Sequence, residues 1–361
     1  HLFLLKNNFS LSDATPYNIQ FIGSKAIYID HLSIVPYKSN EPWLAYNQFC
    51  ESFLFPLIMS SFKKIDINFL FRGNFNGIKL EKVYELLSFK NKLNPSIFLH
   101  VVIPYLYSKY LNKKNKNIKK NKTTLKGPTK KNFIGLLEQL HNFINNLEYK
   151  NNETTWQNYQ NNNFYDGKEL IKKKEIITDY FKRKKPDILF DLGCNNGNYS
   201  FLALKNGSRY VIGFDNDLGS LQSAYLRSKR LNSNFLPLYL DALYPSSSIG
   251  WNQTERDGFN ERSYKCTHLI ALAFSHHIII SGNVSIFEFV KWLTNISKDG
   301  IVEFIPKQDD AIKKLLEFRE DIFFEYSSEK FIFYLKKFVK VKNISQISKS
   351  GRLLIEFTSK I

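Results

Sequence analysis

The 361 residues are 43% apolar with a formal net charge of +18, enough chain and enough hydrophobic side chain for two domains with their own cores. Cys50, Cys194 and Cys266 lie far apart with no CxxC pair, which excludes a disulfide framework and a cysteine-rich zinc site and fits a reducing cytoplasm. No long apolar run exists to cross a membrane. The charge does not by itself designate nucleic acid as a partner, because Lys, Asn, Ile, Phe and Tyr are abundant together, as AT-rich codons produce them.

The chain opens on His1 in mid-pattern: HLFLL reads as the tail of a helix whose start lies upstream, as in an N-terminally truncated chain. Residues 26–30 (AIYID) predict a short strand, and residues 41–62 a long apolar helical region interrupted at Pro56. Asp13, Asn18 and Asp30, in DATPYNIQFIGSKAIYID, follow a D-x4-N then Asp spacing similar to the loops of kinase-like phosphotransferases. There the first Asp orients a hydroxyl, and the Asn and second Asp hold magnesium. Ser12 or Asp13 as a turn cap and 29–31 as an ordinary strand end account for the same residues. From 111 to 131 the chain is almost devoid of apolar side chains and dense in lysine, so it cannot bury surface and reads as an exposed linker. The pattern FIGLLEQLHNFINNL then predicts an amphipathic helix, followed by another polar stretch. The expected organisation is a mostly helical N-terminal domain over 1–110, a basic and polar linker with one amphipathic helix over 111–163, and a third region over 164–361.

In that third region strands and helices alternate. Helix 167–183 precedes strand 187–193, helix 198–207, strand 209–215 and helix 218–232; strands at 235–241, 267–274 and 300–305 follow, with helix 287–297 before the last. This alternation predicts an α/β, doubly wound, mostly parallel sheet covered on both faces.

The segment DILFDLGCNNGNYS sets Asp191 near the end of a buried strand, then Gly193, Asn195 and Gly197 in a turn, then a helix. Open α/β sheets bind ligands beyond the carboxyl ends of their strands. The spacing is neither GxGxxG nor GxxxxGK[ST], which argues against a dinucleotide fingerprint and a P-loop. DxGxxxG resembles motif I of class I S-adenosylmethionine-dependent methyltransferases, and the resemblance implies that Asp191 serves the methionine end of that cofactor within a seven-stranded Rossmann-like sheet. It further implies Asp215, ending the next strand, as acceptor for the ribose hydroxyls, and Asp241, ending the third, near the adenine amino group. Asp217 reads as the cap of the following helix, and a simple turn role for Asp241 stays open.

The fourth strand ends in Ser275, His276 and His277 on the rim where methyl acceptors sit in such a fold. The histidines read either as a catalytic base or as residues that shape the rim; a zinc site is not supported. The long connection YPSSSIGWNQTERDGFNERS offers Trp251, Glu255 and Arg256 as candidate substrate contacts, and Glu303 ends the fifth strand as another. No [DNS]PP[YFW] motif follows strand four, and Cys266 lacks a Pro-Cys setting, which argues against amine and cytosine-C5 methylation of nucleic acids. ALAFSHHIIISGNVSIFEFVKWL, EPWLAYNQFCESFLFPL, TTWQNYQNNNFYD and IGWNQTERDGFNER resemble a group of bacterial class I methyltransferases related to the nodulation protein NoeA, with Asn195 and Asn196 departing from its more usual small residues. The expected activity is S-adenosylmethionine-dependent methyl transfer to a small-molecule or glycan-like acceptor. The alternatives are a bifunctional protein with a kinase-like N-terminal half binding ATP and magnesium, and a nucleic-acid role for the basic linker.

Overall fold

The computed structural model describes residues 1–114, 127–148 and 166–360, and the chain divides into two units: His1–Gln20 with Ala26–Asn151, and Phe21–Lys25 with Asn152–Ile361. Most of the expected basic run and the polar stretch containing TTWQNYQNNNFYD lie outside the described residues.

The N-terminal unit is helical around one core, with a short strand pair near its start, Phe9–Leu11 against Ile34–Pro36. Pro56 does not interrupt its helix as expected. Tyr46–Phe49 runs through a π turn at Cys50–Leu54 into Phe55–Lys63. A proline lacks an N–H and its ring crowds the carbonyl four residues back, and the widened turn just before it absorbs both faults. The same device recurs at Phe98–Val102, before Pro104. The amphipathic helix assigned to the linker belongs to this unit: Lys130–Asn145 sends Phe133, Leu137, Leu140 and Phe143 into a core with Leu54, Ile58 and Val101. A stripe at three- and four-residue steps has to be covered, and here the N-terminal core covers it.

The second unit holds the expected mostly parallel seven-stranded sheet. Its strands are β1 (Ile188–Leu192), β2 (Tyr210–Asp215), β3 (Phe235–Tyr239), β4 (His268–Ala271), β5 (Gly300–Phe304), β6 (Lys340–Gln346) and β7 (Leu353–Thr358). Their order is β3-β2-β1-β4-β5-β7-β6, with β7 antiparallel to both neighbours and every other pairing parallel. Alternation of side chains builds two cores: Phe190, Leu192, Leu269, Ala271, Val302 and Phe304 face one, while Leu189, Val211, Ile270, Ile301 and Leu354 face the other. Helix α1 (Gly167–Lys184), started by an Asp166–Glu169 capping box, lays Ile177, Tyr180 and Phe181 on the second core. The chain winds outward from β1 through β2 to β3, then returns to β4 on the other side of β1. Open α/β sheets bind ligands at such a reversal, beyond the carboxyl ends of the strands, here β1 and β4.

Candidate cofactor site

At that reversal the turn after β1 is built by left-handed backbone at Gly193 (φ +77°), Asn195 (φ +48°) and Gly197 (φ +79°). The glycines are also demanded by packing. A Cβ on Gly193 would lie 2.9 Å from Phe274 Cδ2, and one on Gly197 2.4 Å from Phe235 Cε1, so these positions make room for aromatic rings of the protein itself. Asn195 accepts the Asn196 N–H on its own Oδ1.

Asp215 ties the turn to the next strand. Its Oδ2 accepts the Asn195 N–H at 2.8 Å and its Oδ1 the Asp217 N–H at 2.9 Å, and burial raises its pKa against those two bonds. Asp217 caps the following helix through the Ser220 N–H, as read from sequence. Asp191 is 2% exposed and accepts the Ser200 hydroxyl at 2.6 Å. Burial lifts its pKa to about 7, with the Ser200 bond opposing, Asp215 adding to the rise and Lys173 opposing. Asp241 stands two residues beyond β3, its Oδ1 accepting the Leu243 N–H in a tight turn. Pairing of Leu192 with Phe214 and of Asp215 with Tyr239 sets the three acidic positions on adjacent strand ends along one edge.

On the other side of β1, the β4 end carries the histidines. His276 is 1% exposed, with Nδ1 buried and unpartnered, and its ring centroid lies 4.0 Å from that of His277. Burial, His277 and the cations Arg352 and Lys173 drive its pKa well down, while burial alone takes His277 to about 4. Both rings are therefore neutral at physiological pH. His276 lies beneath the rim, while half-buried His277 opens the π turn His277–Ser281.

Glu303 is not on the acceptor rim. It is fully buried, its Oε2 accepts Lys173 Nζ at 2.7 Å and the Ala273 N–H at 2.8 Å, and Arg352 approaches Oε1 at 3.9 Å. A strand-end carboxylate on the covered face of a sheet needs cations, and Lys173 and Arg352 supply them, with Arg352 also held bidentately by Asp309. The network fixes Ala273, in a left-handed conformation at φ 50°, and through the Glu303 carbonyl the Ser275 hydroxyl; both precede the histidines. Lys173, Ser200, Asp309 and Arg352 were not read as site residues. Lys173 had a signal, since it shares the spacing of Ile177, Tyr180 and Phe181 on the buried face of α1.

Trp251 is 84% exposed at the tip of the β3–β4 connection, and Glu255 and Arg256 are exposed beside it; an Ile249–Arg256 bridge closes this tip. Phe259 anchors the connection's far end, its ring edge-on to Phe214 at 5.3 Å. Among the described residues no group of three His, Cys, Asp or Glu side chains is placed to hold a metal, and no helix is long and apolar enough to cross a membrane.

No protein-family model matches the chain. The nodulation protein NoeA of Rhizobium meliloti (strain 1021) is 38% identical over 355 residues, which are 98% of this chain and 74% of that protein. Among solved structures, a SAM-dependent methyltransferase from Aquifex aeolicus aligns at 14% identity with a TM-score of 0.34, covering 51% of this chain and 88% of its own. The bifunctional kinase-methyltransferase WbdD aligns at 14% identity and a TM-score of 0.35, covering 51% of this chain and 38% of its own.

Proposed function

The chain belongs to the family of the nodulation protein NoeA, and from that premise we propose that its second unit is an S-adenosylmethionine-dependent methyltransferase acting on a small-molecule or glycan-like acceptor. The observation that carries the reading is the row of Asp191, Asp215 and Asp241 at the ends of β1, β2 and β3, beside a turn of left-handed backbone at the reversal of strand order. The acceptor set fits the cofactor: ionised carboxylates can only accept hydrogen bonds, and the cofactor offers donors in an ammonium group, a ribose diol and an adenine amino group.

S-adenosylmethionine supplies an electrophilic methyl carbon on a positively charged sulfur. In this reading Gly193, Asn195 and Gly197 give the backbone of the cradle and Asp191 faces the cationic methionine end. Asp215 keeps lone pairs for the ribose while holding the turn, and Asp241 lies toward the adenine. A neutral His277 is poised to take a proton from the acceptor, while buried His276 positions it. Trp251, Glu255 and Arg256, exposed on the long connection, would meet the acceptor in this reading, whereas Glu303 would act from below through Ala273 and Ser275. Calorimetric titration of the full chain with S-adenosylmethionine tests the reading: binding that Asp191→Ala abolishes is expected, and no binding, or binding unchanged in the variant, would sink it.

One contact favours a second activity in the first unit. Asn18 Nδ2 lies 3.4 Å from Asp30 Oδ2, so the chain brings together two of the residues that the kinase-like spacing pairs, and Asp13 Oδ1 is buried without a partner. A thermal shift of the full chain by magnesium-ATP, lost in Asp30→Asn, is the expected outcome; no shift removes this reading.

A further inference from the structure

The helix Ile103–Lys114 and the π turn before it, Phe98–Val102, spend one face on the N-terminal core. Val101 and Val102 are buried, and Tyr105 stacks on Tyr84 with ring centroids 3.7 Å apart. The opposite face should be polar if water covered it. Instead Leu99, Ile103, Leu106, Tyr107 and Tyr110 stand out, between 40% and 58% exposed. Their steps of four, three, one and three residues make one continuous stripe, about 16 Å long at the rise of a helix. The short helix Phe89–Lys92 packs beside the same π turn and adds exposed Phe89 and Leu93. A contiguous apolar face of this kind calls for a partner.

The charge around it says which partner. Across the described residues 87–114, which carry the face, the sequence has five lysines and no Asp or Glu. Lys109 and Lys113 flank the stripe on the helix itself, and Lys92 sits over the Tyr84 ring at 3.8 Å. A second copy of the chain would bring the same positive field against itself. Nucleic acid would use the lysines but leave the aliphatic side chains in water. An anionic bilayer uses both: the Leu and Ile side chains enter the acyl boundary, the tyrosines sit at headgroup depth, and the lysines meet the phosphates. We propose that this face of the N-terminal unit docks in the plane of an anionic lipid surface.

The inference stands apart from the methyltransferase reading. Its test is co-sedimentation of the full chain with extruded vesicles, either phosphatidylcholine alone or seven parts phosphatidylcholine to three of phosphatidylglycerol. Binding to the mixed vesicles only, lost at molar salt, is expected. Ile103→Asn combined with Leu106→Gln, both at exposed positions, should weaken it about tenfold or more, and Lys109→Gln with Lys113→Gln about fivefold per lysine. Unchanged melting temperatures confirm that the variants fold. Leu106→Trp should bind at least as well and show blue-shifted emission on the mixed vesicles alone. Equal binding to neutral vesicles, no vesicle binding, insensitivity to the stripe substitutions, or a dimer in solution that those substitutions dissociate would overturn the proposal.

Discussion

Asp191 is a carboxylate that the fold holds at a cost, and Asp191→Asn should make the second unit more stable at alkaline pH. Burial, opposed by the Ser200 hydroxyl, lifts its pKa from 3.8 to about 7. A folded value above the unfolded one means the native state binds the proton more tightly. The carboxyl therefore favours folding while protonated, and that contribution is lost as pH climbs from the unfolded value through about 7. A displacement of roughly three pH units at about 1.4 kcal/mol each bounds the cost of the ionised group at about 4 kcal/mol. Relaxation around the site lowers the expected gain to about 2–3 kcal/mol for an uncharged amide that still accepts from Ser200 Oγ. Urea unfolding followed by circular dichroism at alkaline, mildly acidic and acidic pH measures it. The variant should exceed wild type at alkaline pH, by less as pH falls, and the two should converge near the ordinary carboxylate range. Equal differences at every pH, or a variant weaker than wild type at alkaline pH, would show that the fold does not hold Asp191 at such a cost.

Three further outcomes follow from the same geometry. Lys173→Met leaves Glu303 and Asp191 buried with less positive charge and should cost about 3–5 kcal/mol in urea unfolding; adding Glu303→Gln should restore more than half of it, and a single variant near wild type would contradict the network. Gly197→Ala meets both a left-handed backbone and the Phe235 ring, so a loss of about 2–4 kcal/mol and impaired cofactor binding are expected, against a neutral effect if the turn can shift. His277, held down to about 4 by burial, should show no NMR titration between mildly acidic and mildly alkaline pH, and a midpoint near the ordinary histidine value would disprove its neutrality.

The sheet was legible because β1, β2 and β4 are short apolar runs ending at acids, glycines or a rim, each followed by a helix with a clear start. The last two strands were not singled out. β6, with the sequence KVKNISQ, is an edge strand whose lysines and polar residues face water, and its pattern carries little hydrophobic signal. At the site, acids at strand ends announced themselves, but burial did not. Glu303 and Asp215 look alike in sequence, and only tertiary packing sets one under α1 against Lys173 and the other against the Asn195 turn. Arg352 carried no signal, since a charged residue before a strand reads as surface, yet it is fully enclosed by Asp309 and Glu303. The amphipathic helix Lys130–Asn145 was legible as a helix but not in its allegiance, because periodicity says that a stripe is buried and not against what.

Ultraviolet crosslinking of methyl-labelled S-adenosylmethionine to the full chain, with mapping of the labelled peptides, asks whether the cofactor binds beyond the carboxyl ends of β1 to β4. Label is expected in the segments containing Asp191–Asn198, Asp215–Asp217 or Asp241–Tyr244, competed away by S-adenosylhomocysteine. Label confined to the first unit, or no competable label at all, would contradict binding there.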